Sequence, residues 1–201
     1  MRRYNDLSIR RGFRNRSYLT ERQFLRFSVR LEEDIMTKRQ MVYAKFEGLE
    51  ERLAHCYFML HERFIANPPL AKFWAEAAME ELQHHSILRY CREHGLMADV
   101  DVDVRTAEQV EDLLETVKGI VADPDNSVDE GFYAALLMES SEMEEVYEKL
   151  IGSLSDKHRL LYDAIQASLR SHHSGFAESA ERFCRDRGLA EAFRNLPGRA
   201  S

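Results

Sequence analysis

Four stretches of the chain repeat apolar side chains at steps of three and four, the spacing that lines up one face of an α-helix with about 3.6 residues per turn. The first covers roughly 42–65, with Phe46, Leu53, Tyr57, Leu60 and Phe64 on the stripe and Glu50 interrupting it. The second, Ala71–Arg92, aligns Phe73, Ala77, Leu88 and Cys91 around Glu81 and His84. The third, about 128–151, places Phe132, Leu136, Met143, Val146 and Leu150 on one seam that Glu139 breaks. The fourth, about 156–186, presents Leu161, Ile165, Leu169, His172, Phe176 and Phe183. Four amphipathic helices are predicted, each with an ionisable group where its stripe should be apolar.

The intervening residues set how these helices connect. Residues 1–19 have no regular pattern, and Thr20-Glu-Arg-Gln23 then resembles a capping box ahead of the stripe Phe24, Phe27, Leu31 and Ile35. An added N-terminal helix is expected there, running on into the first core helix. Asn67-Pro68-Pro69 is a helix start with Pro in the first turn, and so short a link makes helices one and two antiparallel neighbours. Gly95 ends helix two. Residues 96–104 read as an extended connector, and a shorter helix over 105–121 follows with Val110, Leu113, Leu114 and Val117 on one side.

Asp123–Glu130 superficially suggests a calcium loop. It has Val128 where the sharp turn needs Gly and Ala134 where a bidentate Glu belongs, so that reading fails. Ser127-Val-Asp-Glu130 is instead a capping box that opens helix three. Gly152 and Ser155 punctuate a short turn before helix four, and the tail after Gly188 reads as one short helical turn.

Two helix hairpins joined by a long crossover with an extra short helix predict an all-α fold, wired as a ferritin-like four-helix bundle. The expected organisation is an Arg-rich arm with its helix over 1–41, the bundle over 42–187 and a tail over 188–201.

Composition narrows the setting. Across 201 residues, 44% are hydrophobic, with nine Gly and four Pro, which suits one helix-rich core. Cys56, Cys91 and Cys184 form no CxxC pair, which excludes a thiol-ligated zinc or iron centre and a disulfide framework. A reducing cytoplasm is the expected location. No apolar run reaches the ~20 residues that span a bilayer. The N-terminus has neither the apolar core nor the cleavage site of a secretory signal. In residues 1–30 nine Arg face only Asp6 and Glu21, so a +7 arm precedes a body that carries −14 of the net −7. A solubilising, partly disordered tail is the favoured reading of that arm. Nucleic-acid contact ranks last, because no base-reading motif accompanies the arginines.

The chemistry lies in the interrupted stripes. Burying an unpaired carboxylate or imidazole costs several kcal/mol, at least about 2, and a cation compensates such groups. Glu50, Glu81, His84, Glu139, Glu142 and His172 are the candidate metal ligands. In di-iron and di-manganese bundles the i, i+3 spacing of Glu81 and His84 sets a bridging carboxylate beside an imidazole. Carboxylate oxygens with a few imidazoles suit Fe or Mn. Glu47, Glu51, Glu80, Glu144 and Glu145 are expected to face solvent, with His85 and His173 beside the seam. Tyr57 and Tyr147 read as core aromatics bonded to nearby carboxylates, Cys56 and Cys91 as buried small hydrophobes.

Glu50 with Tyr57 seven positions on, Glu81-Leu-Gln-His84, and Glu139-Ser-Ser-Glu142 with Tyr147 eight beyond Glu139 together resemble the rubrerythrin branch of the ferritin-like family. The resemblance covers about 42–185 and includes no rubredoxin-like iron domain. It implies one or two Fe ions, with Mn as the alternative, and oxidoreductase chemistry on peroxide or dioxygen. A second copy of the chain is the expected partner. The pattern departs in helix four, where three residues before His172 stands Leu169 and three before His173 stands Arg170. One bridging carboxylate is missing, which leaves a mononuclear site, a weakened dinuclear site and an empty pocket all open; Glu142 is the candidate to compensate. The alternative function is a non-enzymatic bundle with a decayed site, associating through its arm and N-terminal stripe.

Overall fold

The computed structural model describes residues 21–99, 104–152, 154 and 158–196, with side chains from Lys38 onward except those of 104, 142, 144, 145, 168 and 173. Seven helices stand among the described residues: α1 Glu21–Arg63, α2 Pro68–Glu93, α3 Val104–Ala122, α4 Val128–Glu139, α5 Glu142–Ile151, α6 Arg159–Phe183 and α7 Arg187–Arg194. No strand occurs among those residues. None of the helices is long and apolar enough to cross a membrane.

The chain divides into two units, Met1–Thr37 and Lys38–Ser201. Of the first, Glu21–Thr37 are helical. The residues of the Arg-rich arm before Glu21, and the side chains of Phe24, Phe27, Leu31 and Ile35, lie outside the described residues. No Pro, the residue that breaks a helix interior, stands between Glu21 and Arg63.

Within the second unit, contacts fix the direction of each helix. His61 of α1 bonds the Ala71 carbonyl near the start of α2, and Glu47 pairs with Arg92 near its end, so α1 and α2 run antiparallel. Tyr57 bonds Glu139 and the Tyr43 hydroxyl donates to the Leu150 carbonyl, which sets α4 and α5 antiparallel to α1. Phe73 meets Phe176 edge-on at 5.1 Å and Glu80 meets His172, so α6 is antiparallel to α2. The crossover helix α3 flanks α1 in parallel: Lys45 and Arg52 pair with Glu111, Arg52 also with Glu115, and Arg63 donates to the Val121 carbonyl. Four helical layers therefore enclose one core, with α1 and α6 running one way and α2 and α4–α5 the other.

Aromatic packing closes one end, where Trp74, Phe132, Phe176 and Phe193 are fully buried. The other end is tied by Tyr43, whose hydroxyl also accepts from the Ala98 amide at 2.8 Å. The capping box at Ser127 is present, its hydroxyl accepting from the Glu130 amide and Glu130 accepting from the Ser127 amide. Asn67 caps α2 without a side-chain bond, and Gly95 takes a φ of +66°, the left-handed stop that a residue with a Cβ rarely adopts.

Three expectations change. The third core helix is two helices, because Ser140 and Ser141 end α4 just after Glu139, and the Ser141 hydroxyl accepts from the Met143 amide to start α5. The fourth begins at Arg159 and stops at Phe183, where Cys184 turns to extended backbone. The tail is more than one turn: Asp186 caps the eight-residue α7, and Leu189, Ala190 and Phe193 are buried, with Phe193 stacked on Phe176 at 5.2 Å. Burying that face outweighs the low apolar content of the segment.

Candidate metal centre

Halfway along the core, five ionisable side chains converge from four helices. Glu50 comes from α1, Glu81 and His84 from α2, Glu139 from the last residue of α4, and His172 from α6. Each is at most 7% exposed. Helical spacing explains the inward aim of Glu81 and His84, because i and i+3 project side by side onto the face that also buries Ala77 and Leu88.

The five groups form two triads, Glu50–Glu81–His84 and Glu81–Glu139–His172, and within each triad one donor atom per residue lies within 4.8 Å of the others. Glu81 belongs to both. Its Oε2 is 3.1 Å from His84 Nδ1, and its Oε1 is 3.4 Å from His172 Nε2, so its two oxygens address different triads. Glu50 Oε2 lies 3.9 Å from the same His84 nitrogen, and Glu139 Oε1 lies 3.2 Å from His172 Nε2. The imidazole centroids are 5.9 Å apart. A small cavity beside them is lined by the carboxylates, His84, Leu53, Met138 and Met143.

Two tyrosines flank the cluster. Tyr57 donates to Glu139 Oε1 at 2.9 Å, and the Tyr147 ring tilts over His84 at 4.5 Å. Burial and the neighbouring Glu139 and Glu81 charges push the Tyr57 phenol well above its ordinary range, so it stays a proton donor. Burial alone would raise the Glu81 carboxyl. The hydrogen bond and charge of His84, the charge of His172 and a hydrogen bond with Glu50 outweigh burial and hold it below its usual range. For His172, burial favours the neutral ring, yet Glu139, Glu80 and Glu81 raise its pKa well above the ordinary value.

These buried groups could hold a metal ion: three carboxylates and two imidazoles form an oxygen-rich donor set in which one carboxylate faces two positions. Of the residues expected from sequence, Glu50, Glu81, His84, Glu139 and His172 come together here. Glu142 opens α5, but its side chain lies outside the described residues, as does that of His173. Leu169 is buried one turn before His172 and brings no carboxylate.

Two expectations about surface acids are corrected. Glu47 is buried, because Arg92 grips both its oxygens at 2.6 and 3.1 Å; its backbone carbonyl meets His85 Nδ1 at 3.0 Å. Glu80 is half-buried and takes a hydrogen bond from His172 Nδ1. The spacing 73–77–80–84 fits a helical stripe as well as 73–77–81–84 does, so a signal for Glu80 was present in the period.

Comparison with protein-family models, with curated proteins and with solved structures finds no match to this chain.

Proposed function

We propose that this chain is a rubrerythrin-like member of the ferritin-like class that binds two Fe or Mn ions and acts on peroxide or dioxygen. One observation carries the reading: two buried triads of two carboxylates and one imidazole share Glu81, each through a different oxygen. Surface acids and histidines have no reason to converge this way, and unpaired burial would be costly. The helix directions support it too. Two antiparallel hairpins with the crossover laid along α1 run up-down-down-up, an order compatible with a ferritin-like bundle.

Glu50 and His84 would hold one ion, Glu139 and His172 the other, and Glu81 both. Such a pair of ions supplies the electrons for reduction of a bound oxidant. The chain's own part is to fix the donors and exclude water. Leu53, Met138 and Met143 wall the cavity with apolar groups. Tyr57 holds Glu139 in place through its hydroxyl and keeps a proton there, at a buried point where solvent supplies none. Ser140 and Ser141 interrupt the helix directly after Glu139, and α5 starts at Glu142.

Anaerobic titration with Fe(II) tests the reading. Purified, chelator-treated protein should take up two ions per chain, and peroxide should then oxidise them in amounts that match the bound metal. Absence of any Fe, Mn or Zn uptake would reject it.

A further inference from the structure

The donor set leaves a deficit. Among the described side chains three carboxylates meet at the two triads, fewer negative charges than two divalent cations carry, and Leu169 of α6 adds none. The half-buried carboxylate of Glu80 stands behind His172, one residue before the shared Glu81 on α2. Its Oε2 accepts from His172 Nδ1, while His172 Nε2 faces Glu139 and Glu81. The imidazole is thus held from both sides, with one nitrogen committed to Glu80 and the other turned into the triad.

An imidazole binds a metal through one nitrogen only, and the hydrogen bond made by the other decides which. A proton kept on Nδ1 by Glu80 leaves Nε2 as the ligand atom. His84 has the opposite disposition, since its Nδ1 is the nitrogen nearest Glu50 and Glu81. The two rings therefore need different outer partners, and Glu80 serves only one of them.

We infer that Glu80 is the positioning residue for His172, and that it supplies from α2 the fourth carboxylate that α6 lacks. Its consequence is an asymmetric centre: the Glu81–Glu139–His172 position depends on Glu80, and the Glu50–Glu81–His84 position does not. The metal part of this inference rests on the proposed function. The hold on the ring does not.

Two measurements on the full chain test it. In the metal-free protein, ¹⁵N-edited proton NMR should show a downfield, exchange-protected His172 Nδ1 proton. Glu80→Ala should abolish it, and Glu80→Gln, which keeps an acceptor oxygen, should retain it at a smaller shift. Anaerobic Fe(II) and Mn(II) titrations should then show two ions in the wild type. In Glu80→Ala the second ion should weaken about 10- to 100-fold, the usual effect of losing an outer partner of a ligand, while the first stays unchanged. Glu80→Gln should weaken it less, and Glu76→Ala, an exposed acid paired with Lys72 one turn away, should change nothing. Glu80→Ala binding two ions at wild-type affinities overturns the inference, even if the NMR signal is lost. A wild type that takes up no metal rejects the proposed function instead, and persistence of the protected proton in Glu80→Ala then overturns the hold of Glu80 on the ring.

Discussion

Glu81 turns one carboxylate oxygen to each imidazole, at 3.1 and 3.4 Å, and this division makes it unequal to the other acids of the cluster. Glu50 and Glu139 each join one triad, so losing either should cost one ion. Glu81→Ala should cost both, leaving less than one ion per chain where Glu50→Ala and Glu139→Ala each keep about one. Metal analysis after anaerobic Fe(II) loading checks the series, with circular dichroism to confirm that each variant is folded; equal losses in all three would remove the bridging role. These positions were readable from sequence because each breaks an otherwise apolar stripe, and helical period alone decides which face it takes. Glu47 was not readable in the same way, and for Glu80 the helical period fits the stripe without choosing between 80 and 81. Both flank a stripe, and whether a flank meets solvent or a neighbour depends on which helix packs against it. For Glu47 that neighbour is Arg92, 45 residues on, and for Glu80 it is His172, 92 residues on.

The elements divide along similar lines. Start and stop signals local to the chain were legible: the Ser127 capping box, Pro68 at the first turn of α2, and Gly95 beyond its end. The break between α4 and α5 was not, because the seam of Phe132, Leu136, Glu139, Met143 and Val146 keeps its period across Ser140–Ser141. Two adjacent serines offer the backbone local bonds that compete with the helix, and the Ser141 hydroxyl takes the Met143 amide. The capping box, in contrast, stands well away from the break, at the far end of α4. Ser127→Ala removes the acceptor for the Glu130 amide and should cost about 1 kcal/mol, or a Tm lower by roughly 2–4 °C for a chain of this size. Fe(II) stoichiometry should stay at the wild-type value. Loss of metal with an unchanged Tm would show instead that the cap positions Glu139 and contributes little to stability.

At the scale of the whole molecule, the hairpins and crossover could be read from loop lengths, but the closing of the aromatic end could not. α7 carries few apolar residues, and only its contact with Phe132 and Phe176 reveals that Phe193 belongs to the core. The same core makes stability depend on what neutralises its centre. Unfolded, the Glu81 carboxyl and His172 titrate near 4.5 and 6.5. Folding lowers the first, so its contribution is full above 4.5 and is lost as pH falls through the lowered value. Folding raises the second, so its contribution is full below 6.5 and is lost as pH rises through the raised value. Both are whole only between 4.5 and 6.5, and the metal-free protein should lose Tm on the alkaline side of that window. On the proposed function a bound cation would take over the role of the His172 proton, so metal uptake should release protons and flatten the alkaline fall. On the acid side protons compete for the same donors, and the metal-loaded curve should converge on the metal-free one. Thermal unfolding with and without chelator across this range decides the matter. If the two curves run parallel at high pH, the charge at the centre of the bundle is not balanced by a metal ion.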